Sequence, residues 1–190
     1  MDMRALQESP RVAAMLGRVR TMMAEPAPRR VPAEVWRRAR SAIALFLLLM
    51  GGGFMIFAAF MVFVVDPPDS GQYLLLSLLM LSPLVMALVG LHSLIVTRKV
   101  LSRGRLYKGR MVAVRPLPAR INGRTFFSAS VEFEGPGGGK IRGKDTIDNW
   151  SSEYFLMARD TGEDVEVIYA PNSIGKVLLP MKIAIGNRYD

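Results

Sequence analysis

Charge is frequent along most of the chain but absent from two stretches. Ser41 to Val65 and Tyr73 to Thr97 each run 25 residues without Asp, Glu, Lys or Arg, and both are rich in Leu, Phe, Met, Ile and Val. At a rise of about 1.5 Å per residue, each run crosses a hydrocarbon core of roughly 30 Å as a helix with some tilt. Lipid offers no partner to a free backbone N–H or C=O, so the pattern predicts two transmembrane helices, 41–65 and 73–97. A buried helix of a soluble core does not need so long an uncharged run. The connecting loop, residues 66–72, is too short to hold a domain.

A different period governs residues 1–40. After Ser9-Pro10, an N-cap and first-turn signature, Val12, Leu16, Val19 and Met23 recur at helical spacing with Met15 and Met22 beside them. Arg11, Arg18 and Arg20 flank this stripe. The spacing predicts a basic amphipathic helix over about 10–24, suited to an anionic membrane surface or to an adaptable methionine-rich protein contact. Pro26, Pro28 and Pro32, around Arg29-Arg30, then make a linker. The arm is too long and charged, and the run after it too long, for a cleavable signal peptide.

Beyond residue 98 the period changes to two. Met111 to Val114 reads as an early strand, and Asn122-Gly123 as a hairpin turn. Phe127, Ala129, Val131 and Phe133 alternate with Ser128, Ser130, Glu132 and Glu134. Gly135 to Gly139 turns the chain, and Lys140, Arg142 and Lys144 then alternate with Ile141 and Gly143. Val165, Val167 and Tyr169 form a further strand, and Val177-Leu178-Leu179 ends the core. One short helix is predicted within 149–159. The fold class expected is therefore a membrane α-helical hairpin plus a small all-β soluble domain over 98–190, a barrel of the SH3 or OB type.

Charge adds an orientation. The net charge is +9 and there is no Cys, which excludes a disulfide framework and thiolate chemistry. Arg37, Arg38 and Arg40 precede the first run, while Arg98, Lys99, Arg103 and Arg105 follow the second. The loop between has Asp66 and Asp69 and no base. Both termini are therefore expected in the cytoplasm, as in a multi-pass protein of the cell inner membrane. Trp36 and Tyr73 stand where aromatic anchors meet headgroups. Gly51, Gly52 and Gly53 in the first run and Ala87, Gly90 and Ser93 in the second allow close helix approach, read as packing of one helix on the other, with a homo-oligomer as the alternative. Pro83 should bend the second helix. His92, the sole histidine, has no ionisable partner inside either run, which disfavours a proton relay, a pump or a channel.

Three segments, Gly109 to Val114, Ser130 to Phe133 and Gly162 to Asn172 before Val177-Leu178-Leu179, resemble the DUF3592-type domain, a bacterial module of unknown function that accompanies two membrane helices. The resemblance covers the hairpin and the barrel, not the arm, and implies no catalytic residues; Ala170 and Ser173 depart from its usual Tyr-Asp-Pro-x-Asn-Pro turn. In layout alone the chain is similar to membrane-anchored OB-fold partners of membrane proteases.

The candidate chemistry is sparse. Gly135 to Gly139 lacks the phosphate-loop pattern and precedes a strand. Asp145, Asp148, Glu153 and Asp160 come without His or Cys. No catalytic residue, metal or cofactor is expected. The basic strand Lys140, Arg142, Lys144 reads as a solvated edge, as a surface for anionic lipid headgroups or an acidic protein partner, or as a nucleic-acid face. The last needs stacking aromatics, and only Phe126 is available, so nucleic acid is disfavoured. The function expected is a non-enzymatic membrane-anchored adapter or assembly protein, the alternative an auxiliary subunit of a membrane protease or transporter complex.

Overall fold

The computed structural model describes residues 9–64, 70–121, 123–171, 173 and 175–186. The chain divides into two units, Arg40–Ile95 and a second built from both of its ends, Met1–Ala39 with Val96–Asp190.

The first unit is a helical hairpin. Helix α3 spans Ala42–Val64 and α4 spans Ser70–Arg103, the part up to Ile95 belonging to this unit. Both are long and apolar enough to cross a membrane, and their most apolar windows are only 17% and 22% buried. A core helix of a soluble protein would be mostly covered; here Phe54, Ile56, Phe57 and Phe60 on α3, and Leu81, Leu88 and Val89 on α4, are exposed. The two backbones touch at two points. A Cβ on Gly51 would lie 2.4 Å from the Pro83 carbonyl oxygen and 2.7 Å from the Ala87 nitrogen. A Cβ on Gly90 would lie 2.6 Å from the Ala44 carbonyl oxygen. Gly52 and Gly53 would meet nothing within 4 Å and take no part in this contact. Residues 70–72, read as loop, are helical, and 66–69 lie outside the described residues. His92 is exposed on α4.

The second unit is a barrel wrapped by helices. Strands β1 (Arg105–Ile121), β2 (Arg124–Glu134), β3 (Lys140–Asp148), β4 (Asp164–Tyr169) and β5 (Val177–Leu178) lie in the order β3-β2-β1-β4-β5. All ladders are antiparallel. The sheet nearly closes where Lys144 of β3 meets Lys176 in a parallel bridge and donates its N–H to the Gly175 carbonyl at 2.9 Å. At that seam Gly143 faces Val177, and a Cβ on it would come within 2.2 Å of the valine Cγ1. Helix α5 (Asn149–Thr161) connects β3 to β4; its N-cap Asp148 accepts the Ser151 N–H at 2.9 Å.

Strand β1 is much longer than the Met111–Val114 expected. It pairs with β4 through Arg105–Arg110 and with β2 from Gly109 onward. Pro116 and Pro118 lie past Arg110, where β1 has only β2 beside it; Pro116 is the last residue paired before the register shifts, and Pro118 falls within the shift. Only Gly123 of the Asn122-Gly123 turn is described, with φ +72°. Phe126, read as pointing outward, is buried at the start of β2, while Ala129, Val131 and Phe133 line the core as their period required.

The arm is not separate from the barrel. Helix α1 spans Pro10–Ala24, as its spacing predicts, and α2 spans Ala33–Ala39. Val12, Met15, Val19 and Met22 of α1 are buried with Val35, with Val100 and Leu101 at the end of α4, with Ile168 and Leu178 of the barrel, and with Ile183 of the last helix, α6 (Pro180–Ile185). Trp36, assigned to the headgroups, packs against this cluster. The boundary drawn between 1–40 and 98–190 is thereby corrected: both segments share one core. The reason is geometric, since an amphipathic stripe needs an apolar cover and β4, β5, α6 and α4 supply one.

Candidate functional site

Lys140, Arg142 and Lys144 are all exposed on the outer face of β3, where the strand period puts them. The register sets Lys140 opposite Glu134, Arg142 opposite Glu132 and Lys144 opposite Ser130. Lys140 also lies 3.4 Å from the Glu132 carboxylate. The stripe is therefore interleaved with carboxylates on β2, and two of its three charges have a cross-strand counter-charge. With Phe126 buried, this face carries no stacking aromatic from β2.

The arm arginines are also engaged within the unit. Arg18 pairs with Glu34 of α2. Arg20 Nε donates to both oxygens of Glu166 on β4, at 2.9 and 3.2 Å. Arg11 is exposed on α1.

The carboxylates expected as a loose acidic set have separate tasks. Asp148 caps α5, Asp160 pairs with Arg159 at 2.7 Å, and Glu153 is exposed. Among the described residues no group of three or more His, Asp or Glu is placed to hold a metal ion.

Asp145 is the exception, a buried carboxylate that β3 turns inward between Lys144 and Thr146. Its Oδ1 accepts the Thr146 N–H at 2.8 Å and the Lys182 Nζ at 3.0 Å; its Oδ2 accepts the Leu179 N–H at 3.2 Å. Lys176, at the seam, donates from Nζ to Thr97 Oγ1 on α4 at 2.7 Å. Burial pushes its ammonium below the usual lysine range; Asp145 opposes that shift and Lys182 adds to it. The carboxylate thus ties β3 to the residue after β5 and, through Lys182, to α6, just where the backbone pairing stops. Sequence reading saw Asp145 only as one acid among four. Its signal was present: in the alternation of β3 it occupies an inward position, where an acid needs a partner.

Arg29 was read as part of a linker. It is 8% exposed, and its N–H donates to the Ser102 carbonyl near the end of α4 at 3.0 Å. Its Nη1 meets the Met23 sulfur at 2.9 Å, and its Nε has no hydrogen-bond partner.

No protein-family model, no curated protein and no solved structure matches the chain.

Proposed function

We propose that the protein is a non-enzymatic, membrane-anchored adapter that holds a small OB-type barrel at the cytoplasmic face of the cell inner membrane. The observation that carries this reading is the composition of the second unit, Met1–Ala39 with Val96–Asp190. One folded core cannot be divided by a bilayer. If α3 and α4 span, the chain must therefore cross and return, with both flanks on one side. The excess of Arg and Lys at those flanks, against Asp66 and Asp69 between the spans, supports the cytoplasm as that side. The exposed apolar surface of both helices supports lipid as their surroundings.

The OB reading rests on the strand order, on the parallel β3–β5 contact and on a helix between β3 and β4. An SH3-type barrel has no place for that helix. The same order favours the second reading, an auxiliary subunit of a membrane protease or transporter complex, through the likeness in layout to OB-fold partners of membrane proteases. The DUF3592-type resemblance remains a proposal of kinship and adds no activity. Purification of the full chain in mild detergent separates these readings: a stable complex with a membrane enzyme whose turnover changes when the chain is removed selects the subunit. A complex whose other members keep their activity but lose assembly selects the adapter. A chain that extracts from membranes without detergent removes both.

A further inference from the structure

Arg29 is a buried arginine that makes no salt bridge among the described residues. Among the described residues no carboxylate pairs with it, and its side-chain contact is a thioether, a poor acceptor for a charged donor. Burial pushes its pKa down, and Glu25 acts electrostatically in the opposite sense. A buried Nε donor left without an acceptor is destabilising, and an anion reaching the guanidinium would offset that cost.

The surroundings indicate which anion. The Arg29 backbone is fixed to the carbonyl of Ser102. Ser102 stands five residues past Thr97, the end of the second uncharged run, hence about 7 Å further along a helix. If α4 spans the bilayer, this is headgroup depth, since the headgroup layers together add roughly 10–15 Å to the hydrocarbon core. On α4 Lys99 stands one turn before Ser102, and the exposed Arg103 follows Lys99 by four residues; Arg30, next to Arg29 in the chain, is exposed too. Phosphate suits a planar guanidinium because its oxygens accept two parallel N–H bonds.

We infer that Arg29, with Arg30, Lys99 and Arg103 around it, binds the phosphate of an anionic phospholipid headgroup at the cytoplasmic end of α4. This rests on the membrane reading above and moves lipid recognition from the basic strand and the arm helix, where Lys140, Arg142, Arg18 and Arg20 each have a carboxylate opposite or in contact, to the segment that carries Arg29 and Arg30.

The test uses the full-length chain purified in a neutral detergent. Thermal unfolding is followed as phosphatidylglycerol, phosphatidylcholine or inorganic phosphate is added. The wild type should gain roughly 2–4 °C from phosphatidylglycerol and little from the other two. Arg29→Met should be at least as stable as wild type without lipid, having lost an unpaired buried charge, and should need about tenfold more phosphatidylglycerol for the same response. Arg29→Lys, which keeps the charge but not the fork, should fall between. An arginine that only packs would give a less stable Met variant with the wild-type lipid response, and that result overturns the inference. So does an equal gain from inorganic phosphate, which would make the site one for a soluble anion. Carbonate extraction in parallel keeps the two claims apart: a chain released by carbonate fails the membrane reading itself, whereas an integral chain indifferent to Arg29→Met fails only this site.

Discussion

The Asp145 carboxylate and the Lys182 ammonium lie 3.0 Å apart, with 2% and 11% of their side chains exposed. The contact joins the edge strand β3 to α6, six residues that close the described chain. A helix of that length has no stability of its own, so its place depends on what it touches. Ile183 and Ala184 bury its apolar side in the core shared with α1, and Lys182 secures the other side at the barrel seam.

Removing one member of this pair should therefore be far worse than removing both. Asp145→Asn leaves Lys182 buried without its anion and is predicted to destabilise the second unit by about 3–5 kcal/mol. Asp145→Asn with Lys182→Met should recover a large part of that loss. Trp36 and Trp150 both belong to this unit, so denaturant unfolding followed by tryptophan fluorescence reads it directly. Additive losses in the double variant would contradict the pairing.

Lys176 gives a pH signature of opposite origin. Its folded-state pKa is lowered, so the folded protein holds this proton less firmly than the unfolded chain, which titrates near 10.5. Between the two values the unfolded state binds more protons, and stability rises with pH. The burden is fully present below the lowered value and gone above 10.5. Lys176→Met should abolish this alkaline rise without steepening the curve elsewhere. A Met variant with an unchanged pH profile would show that the ammonium is not held against burial.

The seam itself can be tested by size. Gly143→Ala would place a Cβ against the stiff, fully buried Val177 side chain, and is predicted to cost about 1–3 kcal/mol. Gly137→Ala, at a turn where a Cβ meets nothing within 4 Å, should cost much less. Equal effects would mean that β3 and β5 are not in register at Lys144 and Lys176.

The arm should be held by its apolar stripe and not by its charges. Val19 is fully buried, whereas the Arg20–Glu166 pair is half in solvent and is worth at most about 1 kcal/mol. Val19→Asp is predicted to raise the rate of tryptic cleavage within α1 by more than about tenfold, and Arg20→Ala to change arm release, followed by hydrogen exchange, by no more than about fivefold. The reverse order would return the arm to the status of a tail attached by charge.

Much of this architecture was legible as period. The uncharged runs at 41–65 and 73–97, the 3.6-residue stripe of α1 and the two-residue alternation of β2 and β4 each appear as elements of the expected kind. What period does not carry is the identity of the surface that covers an apolar face. The stripe Val12, Met15, Val19, Met22 would serve lipid equally well, and only the fold supplies Leu101, Ile168 and Ile183 as its cover. Local signals misled in three further places. The charges after Thr97 read as the end of the second helix, yet α4 continues to Arg103 because Val100 and Leu101 have a core to enter. The early strand was read only over Met111 to Val114, yet β1 runs from Arg105 to Ile121 and accommodates Pro116 and Pro118 where β2 is its only neighbour. The basic strand was legible as a face, but its neutralising partners, Glu132 and Glu134, belong to another strand whose register no local pattern gives.

The central claim is a hairpin through the membrane with both flanks on the cytoplasmic side. The chain has no cysteine, so single cysteines report without background. Ser70→Cys tests the start of α4, Thr21→Cys the exposed side of α1, and Thr161→Cys the exposed end of α5. In spheroplasts of a bacterial host expressing the full chain, a membrane-impermeant maleimide should label only Ser70→Cys, and the other two should react after lysis. Labelling of Thr21→Cys or Thr161→Cys in intact spheroplasts, with Ser70→Cys protected until lysis, would contradict the account.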